Sequence, residues 1–300
     1  MLNSQCANPG ATWQVTRGLI DLAQARVMGI VNLTPDSFSD AGRLPTPAAA
    51  LAHCERLIAQ GADLLDIGGE STRPGASAPG AQEELARVLP VLRVAVTLGV
   101  PVSVDTSEPA VMQQALDLGV DIVNDVRSLQ RPGAVQVLLV HGRAGVCLMH
   151  MRGEPATMAT LAHYHDVVTE VLEALKTRCQ QMQSAGICAS RLVLDPGIGF
   201  AKSASHNLEL LARQNELRAL GRPLLVGWSR KGTLGQITER PVAERGPASV
   251  AAALIAVQRG AAVVRVHDVA ATVDALKVWR AVKAVSGSTI EVDLMKGPVP

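Results

Sequence analysis

Apolar runs of strand length alternate with amphipathic segments of helix length along almost the whole chain. From Arg26 onward, VMGIVN ends at Asn32, ADLLDIGG carries Asp66, VPVSVD ends at Asp105, and VDIVNDV carries Asn124 and Asp125. AGVCLMH then ends at His150, LVLD at Asp195 and RPLLVGWSRK at Lys231, while AAVVRVHD carries Arg265, His267 and Asp268. Runs this apolar suit strands buried on both faces, as in a parallel sheet. Helical spacing recurs between them. Thr46 stands as an N-cap before Pro47, and Leu51, Cys54, Leu57 and Ile58 share a face that ends before Gly61. Leu85, Val88, Leu89, Leu92 and Val96 define a helix from about Ala81 to Leu98. Ser107 is placed to cap a helix ending near Gly119. Further helices are predicted from about Tyr164 to Ser184 and from Ala271 to about Val285.

Eight apolar runs, seven connections long enough for right-handed crossovers and a final helix predict an α/β (β/α)8 TIM barrel. A doubly wound open sheet is the alternative. The barrel is favoured because nearly every run ends in a polar residue, and in a closed barrel those ends converge on the rim where active sites of this fold lie. The expected organisation is an N-terminal extension or small hairpin over residues 1–26, one barrel domain over 27–285 and a flexible tail over 286–300.

Composition removes several classes of partner. The 300 residues carry a formal net charge of +1, with 18% charged and 2% aromatic residues, so neither a basic field nor stacking rings point to nucleic acid. The longest apolar run, Val250 to Val257, is far short of the ~20 residues that span a bilayer. Five cysteines without a CxxC pair, and an N-terminus without a basic segment and apolar core, predict a reduced, cytoplasmic chain.

The strand-end residues are where chemistry is expected. Taken singly, Asp66, Asp125 and Asp268 read as helix caps, His150 as a satisfied buried histidine, and His163 and His165 as surface residues. Taken together, the ends divide into two kinds of recognition. Asp105, Asn124, Asp195 and Lys231 supply acceptors and donors for a planar polar heterocycle, with a carboxylate suited to an amidine-like edge. Arg265, His267 and Arg73 offer cationic donors, and Asn32 a neutral ligand, for a phosphate bridged by Mg2+. The loops NLTPDSFSDAG and GESTRPGAS, rich in Ser, Thr, Pro and Gly, read as lids over the rim. LDPGIGF contains GxG, but it lacks the third glycine of a dinucleotide fingerprint.

The segments MGIVNLTPDSFSDAG, DIGGESTRPGA, VPVSVDTSEPAV, IVNDVRSL, CLMHMRGEPATM, LVLDPGIGFAKS, LLVGWSRKGTLG and VVRVHDV resemble, in order and spacing, those of the bacterial dihydropteroate synthase family. The match runs from about Arg26 to Val285. The resemblance implies a barrel that joins dihydropterin pyrophosphate to p-aminobenzoate on the route to folate. It implies that Asp105, Asn124, Asp195 and Lys231 bind the pterin, and that Arg265 and His267 clamp the pyrophosphate. Asn32 then looks like the Mg2+ ligand, helped by Asp36, while Thr72, Arg73, Pro74, Phe38 and Phe200 look like the shapers of the p-aminobenzoate pocket. Asp105, Lys231, Arg265 and His267 are the residues expected to act in catalysis. Because the arylamine is already neutral at pH 7, no strong base is needed, and an SN1-like departure of pyrophosphate is expected. A homodimer is expected as well.

One departure stands out: Gly232 follows Lys231 where many family members carry serine, so a hydroxyl near the p-aminobenzoate carboxylate is lost and sulfonamide sensitivity is not predicted. Two alternatives share the pterin residues, a corrinoid-linked methyltetrahydrofolate methyltransferase and a non-catalytic pterin-binding paralogue. The first has no use for Arg265, His267 and the TPDSF loop. The second would be free to lose Asn32, Arg73 and the clamp, and all are present.

Overall fold

An antiparallel hairpin, β1 (Thr12–Val15) and β2 (Gly18–Asp21), precedes the first barrel strand. The structure is a computed structural model and describes residues 12–34, 46–71 and 79–287. The chain continues as β3 (Arg26–Asn32), α1 (Pro47–Ala59), β4 (Leu64–Gly68), α2 (Ala81–Ala95), β5 (Val102–Asp105) and α3 (Pro109–Asp117). Next come β6 (Ile122–Asp125), α4 (Ala134–Val140), β7 (Gly145–Met149), α5 (Val167–Ser184), β8 (Leu192–Asp195) and α6 (Ala204–Ala212). β9 (Leu224–Val226), α7 (Gly232–Thr238), α8 (Gly246–Gln258), β10 (Ala261–Val266) and α9 (Val269–Gly287) complete it. Strands β3 to β10 pair in parallel, and β10 closes on β3, giving the predicted (β/α)8 barrel. The open sheet is excluded by that closure.

Two apolar layers hold the barrel. Met28, Leu64, Ile122, Cys147, Val193, Leu225 and Val263 fill its interior, while the opposite strand faces pack on the surrounding helices. The hairpin plugs the N-terminal end. Trp13 is fully buried and donates from Nε1 to the Arg191 carbonyl at 2.8 Å, and Arg17 pairs with the buried Asp121. Burial of a ring this large removes about 150–250 Å² from water, which explains why the extension is part of the fold.

Local signals account for most helix starts. The Thr46 side chain accepts from the Ala49 N–H, with Pro47 in the first turn, as predicted. Asp166 caps α5, so that helix starts at Val167 rather than Tyr164, and α2 ends at Ala95 rather than Leu98. Ser107 does not cap α3. Glu108 holds the cap position, and the Ser107 hydroxyl bonds instead to the Asp125 carboxylate in the interior. Among the described residues no helix is long and apolar enough to cross a membrane. Cys54, Cys147, Cys179 and Cys188 are free thiols. Residues 288–300 lie outside the described residues, as do 1–11.

Candidate active site

Strand register brings the candidate side chains to one level. Asn32 aligns with Gly68, Gly68 with Asp105, and Asp105 with Asn124, so three polar ends from β3, β5 and β6 stand in one row. Partners in a parallel ladder point to the same face. They open into a cavity of about 950 Å³ at the C-terminal ends of the strands, which Asp195, Lys231, Arg265 and His267 also line. The rim predicted from alternation is thus a single site.

Arg265 sits between two carboxylates at the cavity floor. Its Nε donates to Oδ2 of Asp66 and its Nη2 to Oδ2 of Asp105 at 2.7 Å. Burial raises Asp105 above the ordinary carboxylate range, against the opposing pull of Arg265. The guanidinium is held above its ordinary value because the two acids outweigh the burial that opposes its charge. Asp66 also accepts from Nδ2 of Asn124 at 3.1 Å. The helix-cap reading of Asp66 is therefore overturned: it is fully buried and faces the barrel interior. Asp125 departs from that reading too, closing a turn by accepting from the N–H groups of Arg127 and Leu129. Asp268 stands directly before α9, where its carbonyl accepts from the Thr272 N–H at 3.1 Å, and its side chain pairs with Arg230 at 2.8 Å.

Lys231 is delivered by a strained turn between β9 and α7. Arg230 has φ +57°, a left-handed conformation that costs a non-glycine residue about 1–3 kcal/mol. It is held by its N–H to Ser249 Oγ at 2.9 Å, by Asp268, and by Arg245, whose Nη1 donates to its carbonyl at 3.2 Å. Lys231 Nζ lies 4.3 Å from the centre of the Phe200 ring. Burial pushes its pKa down to about 8, with Asp195 opposing. His267 differs from its expected role as a cationic donor. Burial, with Arg230 and Arg265 nearby, lowers it to about 3, so the ring is neutral. Its Nδ1 lies 2.9 Å from Ser229 Oγ, and a neutral ring that accepts there carries its proton on Nε2.

Asp195 ends β8 and opens the loop to α6. Its Oδ1 accepts from the Gly197 N–H at 2.7 Å, while burial raises its pKa against that bond and the nearby Lys231 and Lys202. Gly197 has φ +71°, and a Cβ there would fall 1.9 Å from the His150 carbonyl oxygen. The GxG of this stretch thus serves close backbone approach, not a dinucleotide. Lys202 pins the loop from within, donating to the carbonyls of Gly197 and Phe200 at 3.0 Å each and standing 2.9 Å from His150 Nδ1. His150 is the satisfied buried histidine expected, and His163 and His165 are exposed.

Of the candidate residues, Asn32, Asp105, Asn124, Asp195, Phe200, Lys231, Arg265 and His267 line one cavity. Asp36, Phe38, Thr72, Arg73 and Pro74 lie outside the described residues. Among the described residues no group of three His, Cys, Asp or Glu side chains could hold a metal. Sequence reasoning missed Lys202, Ser229 and the bridge in which the buried Arg127 joins Glu70 at 2.9 Å to the exposed Glu154 at 2.6 Å. Lys202 carried a signal, since a lone lysine seven residues beyond the acid sits between a buried phenylalanine and a helix cap.

A sequence profile of the family described as pterin binding enzyme matches residues 28–267. The dihydropteroate synthase of Neisseria meningitidis serogroup B is 53% identical over 275 residues, covering 90% of this chain and 96% of that protein. Among solved structures, the Xanthomonas albilineans dihydropteroate synthase with 4-aminobenzoic acid superposes with a TM-score of 0.86 at 49% identity, over 92% of this chain and 99% of that one. The Burkholderia cenocepacia dihydropteroate synthase complexed with 7,8-dihydropteroate gives 0.84 at 47% identity, over 93% and 98%. With a closed barrel, a shared polar rim and this similarity along nearly its full length, the chain belongs to the pterin-binding enzyme family, among the dihydropteroate synthases.

Proposed function

We infer that the chain condenses 6-hydroxymethyl-7,8-dihydropterin pyrophosphate with p-aminobenzoate, giving 7,8-dihydropteroate and pyrophosphate. The observation that carries this reading is the division of one rim into acids and amides on β5, β6 and β8 and cationic or N–H donors on β10 and before α7. Asp195 suits the amino-pyrimidine edge of a pterin, because a buried carboxylate accepts two parallel N–H groups. Asn124 and Asp105 extend that recognition, and Lys231 donates from the other side. The solved relatives bound to 4-aminobenzoic acid and to 7,8-dihydropteroate support the choice of substrates.

The reaction breaks the bond between the exocyclic pterin carbon and the pyrophosphate oxygen, forms a bond from that carbon to the arylamine nitrogen, and releases one proton. Charge develops in both directions. Arg265 and the Nε2–H of His267 offer donors in the same cavity for the oxygen that becomes anionic, while Asp105 and Asp195 favour positive charge on the pterin. His150 and His267 are both held near pKa 3, so neither is tuned as a base at neutral pH, consistent with an amine that needs none. These features favour a dissociative, SN1-like substitution.

Mg2+ fits as an ion carried by the substrate. It prefers few protein ligands alongside phosphate oxygens and water, and Asn32 offers one neutral oxygen donor at the cavity edge. When bound there, it supplies charge neutralisation on the pyrophosphate oxygens. We assign the expected homodimer to the outer helices, where Ile255 of α8 and Val278 and Val285 of α9 are exposed.

Positional isotope exchange tests the mechanism. With the bridging oxygen of the pterin pyrophosphate labelled and p-aminobenzoate absent, scrambling of the label into non-bridging positions is expected. No scrambling, with bond cleavage requiring both substrates, would contradict the dissociative step.

A further inference from the structure

Asp66 is a charged side chain that does not reach the cavity. It is wholly buried on β4, two residues below Gly68 and therefore one layer beneath the row of Asn32, Asp105 and Asn124. Its register neighbours are Ile30 and Ser103, and it is not among the side chains that line the site. Yet Oδ2 receives both the Nε of Arg265 and the Nδ2 of Asn124. One oxygen thus holds a residue assigned to the pyrophosphate and a residue assigned to the pterin.

We propose that Asp66 is the positioning residue that fixes Arg265 and Asn124 in the orientations that bind the pterin pyrophosphate. The inference rests on the substrate reading given above. A carboxylate only accepts, so it dictates which way each partner faces. With Nε held by Asp66 and Nη2 by Asp105, Arg265 keeps Nη1 without a protein acceptor among the described residues, on a side chain 21% exposed. With its amino group drawn down to Asp66, Asn124 has its amide orientation set, and its oxygen is left for a ligand. The other oxygen of Asp66, Oδ1, is buried without a hydrogen-bond partner among the described residues, as is the neighbouring Ser103 hydroxyl. A buried carboxylate with one oxygen unpaired weakens the barrel it sits in. What it provides is order in the two side chains above.

Two roles for the charge predict opposite signs. If Asp66 merely neutralised Arg265, removing its charge would strengthen the binding of an anion. If it positions Arg265, the same change weakens that binding. Asp66→Asn keeps the shape but can both donate and accept, so neither partner is held in one orientation. We expect kcat/KM for the pterin pyrophosphate to fall by roughly tenfold or more while KM for p-aminobenzoate moves by less than about twofold. The Kd of inorganic pyrophosphate, measured by calorimetry with Mg2+, should weaken by about fivefold or more. Ser103→Ala, which alters the same layer without touching either partner, should change neither constant by more than about twofold.

A double-mutant cycle keeps the test decisive should Asp66→Asn fold poorly. Asp66→Asn/Arg265→Gln leaves Asp105 without its guanidinium just as Arg265→Gln alone does, so that loss cancels in the comparison, and the two pyrophosphate affinities should agree within about twofold. Tighter or unchanged pyrophosphate binding in Asp66→Asn, or a further full-sized loss in the double variant, would overturn the proposal. Failure of the unmodified chain to condense the two substrates would count against the substrate reading instead, because the pyrophosphate measurement needs no turnover.

Discussion

At Gly232 the chain has a space that a hydroxyl could fill. The residue opens α7 immediately after Lys231, lines the cavity and is exposed, and a Cβ built on it meets nothing within 4 Å. Serine can enter there without moving a neighbour. Gly232→Ser is therefore expected to fold as the unmodified chain does and to lower both KM for p-aminobenzoate and the inhibition constant of a sulfonamide. One added hydrogen bond to a carboxylate is worth about 1–2 kcal/mol, so the shift should be roughly five- to thirtyfold at most. No change in either constant would remove any role for that position. Gly197 is the opposite case, because the His150 carbonyl occupies the place of a side chain. The two glycines look alike in the sequence, and only the packing around them separates a spare position from an obligatory one. The same holds for Asp66 and His267. Asp105 and Asp195 were legible because each ends an apolar run. Asp66, inside its run, gives no sign of whether it turns inward or caps a helix. The neutrality of His267 depends first on its burial and then on Arg230 and Arg265 being folded against it, none of which the sequence shows.

The loop from Asp195 to α6 shows how an element is held by what it encloses. Lys202 donates to carbonyls of its own loop and contacts His150 at the end of β7, so two adjacent strand ends are tied at one ammonium. His150 is lowered from 6.5 to about 3 by burial first and by Lys202 and Arg152 next. Between those values the unfolded chain takes up a proton that the folded chain does not. The stability tied to the neutral ring is thus complete above pH 6.5 and is lost as pH falls towards 3, at about 1.4 kcal/mol per pH unit. Lys202, lowered to about 7, is charged in both states through most of that window and adds little slope there. Thermal melts from pH 7 to 4 should show a shallower acid decline in His150→Gln than in the unmodified chain, with His267 and His53, both also lowered, contributing slope of the same sign. Identical slopes would mean that His150 is protonated in the fold. Element ends were the least legible part of the sequence for a related reason. Ser107 has the composition of a cap, but a buried carboxylate 18 residues away competes for its hydroxyl. The Arg127 bridge to Glu70 and Glu154 likewise joins loops whose neighbourhood exists only after the barrel closes.

At the scale of the whole molecule, barrel closure turns eight separate strand ends into one asymmetric site. The period of apolar runs and the polarity of their ends were enough to predict the fold, the rim and the residues on it. The hairpin was foreseen as an element, though not as the plug that seats Trp13 beneath the interior layer. Closure brings Asn124 and Asp195 into one cavity with Lys231, Arg265 and His267, so the residues assigned to the pterin and those assigned to the pyrophosphate share one volume. That arrangement makes the central claim directly measurable. Purified protein with Mg2+, dihydropterin pyrophosphate and p-aminobenzoate should release pyrophosphate and form dihydropteroate, and Asp195→Asn should lower kcat/KM by roughly 100-fold, the worth of a charged bidentate contact. Release that proceeds undiminished in Asp195→Asn would contradict the assignment of this rim as the pterin site.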